Sequence, residues 1–461
     1  MTGASALPAA RYFIAASRLR PGLDGGYTVA TMNRARHFAA EGGVQPTLLT
    51  FEPAPQDGVL EGFAALGLAA SETPMRNLFA EVRARPALVR GAALHPRRDA
   101  DESDPARATT VYAEDGSPLL RLPFTARADW HRADADIVVL APDGVALGAL
   151  RGWGELYRLW VDAVVAEGAA SGIPAVVIAE AKQVGELLAA GERDYALLHT
   201  VHNVHTADPY RWDSPLEALW QGWFDVADRF DAVAWLTERQ RSDAVRRFGD
   251  HPEWVVIPHP APPSQPDAAP GRDPLRAVMV ARLVAQKRVA DAVRAWPAVL
   301  ASHPGARLEV YGDGPERAAL ETLIAELGLR EAVTLHGYVP RASDQLASAA
   351  VLVLSSRHEG QPLVVAEALA AGTPVVAYDI PYGPADMVEP GVSGELVADG
   401  DVAGLAAAIN GILGNPQRIA ALSAGARAWT AAHQSEHSIA LWAALVERVL
   451  ARGLPANRLN S

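Results

Sequence analysis

The chain has 461 residues, 49% of them hydrophobic and 21% charged, with no cysteine and a formal charge of −13. That length exceeds what one hydrophobic core serves, so two domains are expected, and the lack of cysteine excludes disulfides and thiolate metal sites. The negative charge excludes broad binding to nucleic acid, and no run approaches the roughly 18 apolar residues of a membrane span, so peripheral membrane contact is the most that is expected.

Strand and helix patterns alternate from the start, the pattern of parallel sheets covered on both faces. RYFIAAS reads as the first strand and is followed by a loop in which Gly25 and Gly26 precede a helix. Glycines there let a phosphate or a sugar approach the backbone, although a double glycine before a helix is also ordinary loop punctuation. The stretch 83–98 carries Arg83, Arg85, Arg90, Arg97 and Arg98, which fit either a local basic track or a solvated loop. TTVYAEDGSPLLRLPF breaks the alternation and reads as an antiparallel hairpin turning at Asp115 and Gly116, an insertion placed at about 85–130. Its open edges are compatible with a homo-oligomer.

DIVVLAPD, PAVVIAE, YALLHTV, DAVAWLT and EWVVIPH read as further strands of the first domain, assigned to 1–262. Asp134 and Asp136 form a DxD, which resembles a metal–nucleotide signature but stands where a strand begins. The segment LLHTVHNVH places His199, His202 and His205 at a sheet's carboxyl edge, where open α/β sheets bind ligands. Zinc ligands, structural histidines and a ligand contact all fit that spacing. A Pro-rich linker follows at 263–274, then a second domain at 275–436 with strands RAVMVAR, RLEVYGD, AVTLHGY, VLVLSS and PVVAYD. The segment 437–461 reads as an amphipathic helix returning to the first domain.

Two segments of the second domain carry chemistry. In AVMVARLVAQKRV, Arg282 and Lys287 follow a strand five residues apart, which suits a diphosphate: arginine binds phosphate as a fork, lysine as a point charge. In SSRHEGQPLVVAEALAAG, Glu359 and Glu367 lie eight residues apart across a strand-to-helix turn, with Pro362 near the helix start. The N–H groups of Gly360, Gln361 and Leu363 then lie at a helix N-terminus, where unpaired donors favour an anion or a hydroxyl. A buried strand and helix bearing solvated glutamates fits the same residues.

Arg282 and Lys287 followed by Glu359 and Glu367 resemble the donor site of retaining glycosyltransferases of family four, which have the GT-B fold. That resemblance implies two Rossmann-like doubly wound domains facing a cleft, with a small antiparallel β insertion in the first. It implies a hexosyltransferase acting with retention and without a metal, no cofactor, and a nucleotide-sugar donor, UDP-glucose or UDP-N-acetylglucosamine. The implied catalytic residues are Arg282, Lys287, Glu359 and His202, with His199 second to His202. The implied donor-binding residues are Gly25, Gly26, Arg282, Lys287, Tyr338, Gly360, Gln361, Pro362, Leu363 and Glu367, with Glu367 on the ribose. PVVAYDIPYGPADMVEPGVSGELV resembles, more narrowly, poly(glycerol-phosphate) α-glucosyltransferases and other teichoic-acid glycosyltransferases. The implied acceptor is a polyol-phosphate polymer or another glycan, the alternatives being a protein hydroxyl or a small molecule; a non-catalytic GT-B partner subunit is disfavoured because all four donor residues are present. With no export signal read, the expected location is the cytoplasm, at the inner face of the membrane if attached at all.

Overall fold

The structure is a computed structural model that describes residues 6–22, 25–68, 73–98, 101–264 and 271–454. Among the described residues, seventeen strands form three sheets. In chain order they are β1 (Arg11–Ala16), β2 (Thr47–Thr50), β3 (Met75–Asn77), β4 (Thr109–Tyr112), β5 (Pro118–Leu122), β6 (Asp136–Leu140), β7 (Ala146–Arg151), β8 (Ala175–Ala179), β9 (Ala196–Val201), β10 (Ala232–Trp235) and β11 (Trp254–Val256) in the first half. The second half adds β12 (Asp273–Val280), β13 (Arg307–Tyr311), β14 (Val333–Gly337), β15 (Ala349–Leu354), β16 (Val375–Asp379) and β17 (Gly394–Ala398).

The first sheet is parallel, in the order β11-β10-β9-β8-β1-β2-β3, and the second is parallel in the order β14-β13-β12-β15-β16-β17. Their central strands β8, β9 and β15 are buried along their whole length, as strands covered by helices on both faces must be. This is the GT-B arrangement: two doubly wound units, each with its own core. Trp160, Trp223 and Trp235 anchor the first core and Trp296 the second. The Ser435–Ala451 helix lays Trp442, Val446 and Val449 against Tyr12, Phe38, Val176 and Leu198 of the first unit. The Pro-rich stretch expected at 263–274 falls largely on residues 265–270, outside the described residues, as do 455–461 of the final segment; β12 already begins at Asp273.

The third sheet corrects the sequence reading. It is antiparallel in the order β4-β5-β6-β7, so the inserted sheet reaches Arg151 instead of ending near 130. DIVVLAPD, expected in the parallel sheet, is its third strand. All five residues of β6 are buried, because Ile137 and Val139 face the first core and the Gly152–Ala166 helix packs against β6 and β7. A short fully apolar run looks the same in sequence whichever sheet buries it.

The strands' carboxyl ends matter for the site. Glu180 directly follows β8, His202 follows β9, Arg282 lies two residues beyond β12, and Ser355 follows β15. In open α/β sheets this edge is where ligands bind, and here the two edges face each other.

Candidate active site between two facing sheet edges

On the second unit, the loops after β12 and β15 are zipped together. Gln286 Nε2 donates to the His358 carbonyl at 2.9 Å, the Arg357 N–H donates to the Gln286 carbonyl at 2.8 Å, and the Ser355 hydroxyl donates to the Arg288 carbonyl at 2.9 Å. Arg288 takes a left-handed backbone (φ 43°) and sends its guanidinium to the Ser355 and Ser356 carbonyls and to Asp399. These bonds bring together residues 72 apart in sequence: Lys287 Nζ donates to Glu359 Oε1 at 2.5 Å. Ser356 Oγ donates to the same oxygen at 2.6 Å. The predicted cation and the predicted carboxylate therefore form one cluster.

Two other predicted groups have side chains without a partner among the described residues. Arg282 is exposed, and its guanidinium makes no hydrogen bond or ion pair there. Glu367, in the Leu363–Ala370 helix, also has no side-chain partner among them; burial, reinforced by Asp344, pushes its carboxyl up to about 7. Pro362 is the N-cap and Leu363 the first helical residue, and no side chain caps this end, so its leading N–H groups are available to a ligand.

Across the gap stands the loop before the Gly26–Ala40 helix. Gly25 has φ 51°, a left-handed conformation, and a Cβ built on it would lie 4.0 Å from Arg282 Nε. A Cβ on Gly26 would lie 3.8 Å from Leu363 Cδ1, and one on Gly22 4.0 Å from the hydroxyl of Tyr338, whose side chain is exposed. Gly25, Gly26, Arg282, Tyr338 and Leu363 thus line the same opening.

The two units also touch directly beneath it. Gly360 packs on the carbonyl of His202 so closely that a Cβ would sit 2.0 Å from that oxygen. Gln361 is buried, accepting from the His259 N–H at 2.7 Å and donating to its carbonyl at 3.3 Å. Sequence reasoning assigns Gln361 to the donor through its backbone N–H; its side-chain amide holds the other unit. Arg239 meets Asp379 at 2.6 Å and the Tyr382 hydroxyl donates to Asp243 at 2.9 Å, extending the contact.

The three histidines separate. His202 stands at the junction, its Nε2 2.5 Å from Glu180 Oε2, its ring stacked on His259 at 5.4 Å and edge-on to Tyr27 at 5.5 Å. Glu180 is fully buried and also accepts from Arg34 Nε at 2.6 Å. Burial alone would raise its carboxyl, but Arg34 and His202 outweigh burial and hold it at about 2. His199 points into the core against Trp223 and Phe230, where burial pushes its imidazole down to about 3. His205 lies among Trp220, Phe224 and Trp235, pushed down to about 4 by burial. The histidines therefore form no joint metal site, and of the two considered for the reaction centre only His202 borders the opening.

Two further expectations change. Asp136 is engaged by Arg98 and Arg151 and Asp134 by Arg98, so the DxD is held in ion pairs that fasten the inserted sheet. The arginines of 83–98 are mostly engaged as well: Arg83 donates to the Tyr112 carbonyl, Arg85 pairs with Glu81 and Glu167, and Arg90 donates to the Leu140 and Pro118 carbonyls. They pin the insertion instead of forming an open basic track. Sequence reasoning missed Glu180 and Arg34, although a carboxylate ending the apolar run PAVVIA was a visible signal.

Residues 265–429 match the family Glycosyl transferases group 1. The C-terminal half carries a group 1 glycosyl transferase domain. That domain contains Arg282, Lys287, Glu359 and Glu367. Over 194 residues the chain is 39% identical to an exopolysaccharide phosphotransferase of Streptomyces coelicolor, covering 41% of this chain and 20% of that protein. Over 214 residues it is 28% identical to the poly(glycerol-phosphate) alpha-glucosyltransferase of Bacillus subtilis, covering 45% of this chain and 31% of that one. The chain thus spans about a fifth and a third of the length of these relatives. Its fold is shared along nearly its whole length with S. aureus TarM, solved in complex with fondaparinux, alpha-GlcNAc-glycerol and UDP: the TM-score is 0.74 at 18% identity, covering 95% of this chain and 99% of that one.

Proposed function

We propose that this protein is a retaining hexosyltransferase that moves glucose or N-acetylglucosamine from a UDP-sugar to a hydroxyl of a polyol-phosphate polymer or another glycan. The observation that carries the proposal is the pairing of Lys287 with Glu359 on the unit that also holds Arg282 and Glu367, whose side chains have no partner among the described residues, and an uncapped helix N-terminus, with Arg282 and Leu363 beside a glycine loop. In this reading, residues 1–262 present the acceptor and 275–436 hold the donor. Arg282, Lys287 and the helix N-terminus oppose the charge that grows on the departing diphosphate. Glu359 takes hydroxyls of the sugar and Glu367 those of the ribose, since a carboxylate accepts well from a diol. The glycine loop lets the diphosphate lie against the backbone. Catalysis then rests on positioning and fixed charge.

The relative named for poly(glycerol-phosphate) favours a polymer acceptor. With most of the 83–98 arginines engaged, any phosphates on that polymer must find cations elsewhere. No helix among the described residues is long and apolar enough to cross a membrane, and we place the reaction in the cytoplasm, at the inner face of the membrane when the acceptor is lipid-linked.

The test is nucleoside diphosphate release from a panel of UDP-, GDP- and ADP-sugars, with and without glycerol-phosphate polymer, ribitol-phosphate polymer and neutral glycans. Release from one UDP-sugar, stimulated by one acceptor class, is the expected result. Absence of nucleotide binding by calorimetry across the panel refutes the proposal.

A further inference from the structure

The His202 environment is built more thoroughly than a surface contact requires. Glu180 lies one residue past β8, His202 one residue past β9, and Arg34 in the Gly26–Ala40 helix, so three separate elements converge on one carboxylate. Each Glu180 oxygen has its own partner: Oε1 accepts from Arg34 Nε at 2.6 Å, and Oε2 lies 2.5 Å from His202 Nε2. The Glu180 side chain has no exposed surface. Arg34 is itself fixed, its guanidinium lying 4.5 Å over the ring of Trp442.

A buried carboxylate paired with arginine can only accept hydrogen bonds. His202 must therefore meet it with a proton on Nε2. In the neutral ring the other nitrogen, Nδ1, is then a bare acceptor. Nδ1 has no partner among the described residues, while the ring is held between Tyr27 and His259. The groups facing His202 are thus Glu180 and, behind it, Arg34, with Tyr27 from the same helix as Arg34 and His259 from the segment after β11. His259 is buried and held well below the ordinary histidine value, so it adds no charge. The backbone of His202 meanwhile touches Gly360, next to Glu359.

We propose that Glu180 and Arg34 are positioning residues of the transferase: they lock His202 as the Nε2–H tautomer, so that its bare Nδ1 accepts a hydrogen bond from a hydroxyl of the hexose being transferred. This rests on the hexosyl-transfer reading. The sugar contact itself is the role that the resemblance implies for His202; Glu180 and Arg34 set the ring nitrogen that makes it. Because Glu180 does not touch the ligand, its effect is transmitted through the histidine's tautomer alone.

Glu180→Gln is the informative change, because a glutamine amide can donate to Nε2 and drive the proton to Nδ1. Nitrogen-15 NMR of the intact protein, with the His202 signals assigned by their loss in His202→Ala, reads the tautomer directly. The expected results are Nε2–H in the parent protein and Nδ1–H in Glu180→Gln, a fall in kcat/KM for the preferred UDP-sugar of about 10- to 100-fold, and unchanged affinity for UDP, which lacks the hexose. Glu180→Gln combined with His202→Ala is expected to lose no more than His202→Ala alone. A parent protein with a bare Nε2, additive losses in the double variant, or parallel loss of UDP affinity overturns the proposal. If Glu180→Gln fails to fold, the parent spectrum still decides it. Failure of the parent to bind UDP at all refutes hexosyl transfer itself, and so is distinguishable.

Discussion

The two walls of the cleft treat their charges in opposite ways. On the first unit the buried carboxylate of the junction is answered within the protein: Glu180 accepts from Arg34 and faces His202 Nε2, and it has no exposed surface. On the second unit, Lys287 and Glu359 pair with one another, but Arg282 and Glu367 have no partner among the described residues. A carboxyl partly buried without a donor among the described residues costs folding free energy, and burial, reinforced by Asp344, pushes Glu367 up to about 7. The contrast teaches that the first wall is an assembled support, whereas the second leaves groups open that the proposed donor would engage.

The sharpest way to break this contrast is to remove the cation that pairs with Glu359 and that the proposed function sets against the diphosphate. Lys287→Ala is expected to lower turnover by about 10²- to 10³-fold while leaving the far-ultraviolet dichroism unchanged. Turnover within threefold of the parent would remove Lys287 from the reaction.

Glu367→Gln is expected to have a smaller and two-signed effect. Folded Glu367 holds its proton up to about 7, above its ordinary value of 4.5, so the folded state binds more protons than the unfolded state across that window. Stability is therefore lost as pH rises from about 4.5 to about 7, on the order of 2–3 kcal/mol. Gln removes that loss, so denaturation at pH 8 should show a more stable variant, with little difference at pH 4. The donor KM should rise about tenfold, since one hydrogen bond to a charged group is removed. In the parent it should fall as pH increases through 7; in the variant it should stay flat. A pH-dependent KM in both proteins would dissociate Glu367 from the ribose.

Arg282→Lys keeps the charge and removes the fork, sharpening the question of whether the exposed side chain binds phosphate through two N–H groups. A loss in kcat/KM of about threefold to tenfold is expected from steady-state kinetics. Full activity would mean that a point charge suffices.

Much of the second wall was legible in the sequence because its residues are local to two short segments. Arg282 and Lys287 share one loop, Glu359 and Glu367 one turn and helix, and the apolar strands before them announce where those loops must lie. The resemblance to family four then joined the segments. The first wall was less legible. Arg34 and Glu180 are 146 residues apart, and nothing in a single sequence says that a helix arginine will meet a strand-end carboxylate. Gln361 was expected at the donor because its neighbours are there; which way an amide turns depends on the backbone opposite, that of His259. The arginines of 83–98 read as a patch because sequence shows charge and not the carbonyls and carboxylates that engage it. Within the fold, β2, β3, β7 and β17 went unread, and β6 was given to the wrong sheet because a buried run carries no record of what buries it.

The close seat of Gly360 on His202, with Gln361 tied to His259 one residue on, carries a consequence for how motion reaches the chemistry. The groups that would grasp the hexose from opposite lobes, Glu359 and His202, flank a joint only a few atoms thick. If the lobes rocked about this joint, distances would change least there and more where Gly22 and Tyr338 face one another. Access for substrates and alignment of the reacting groups would then be mechanically separated.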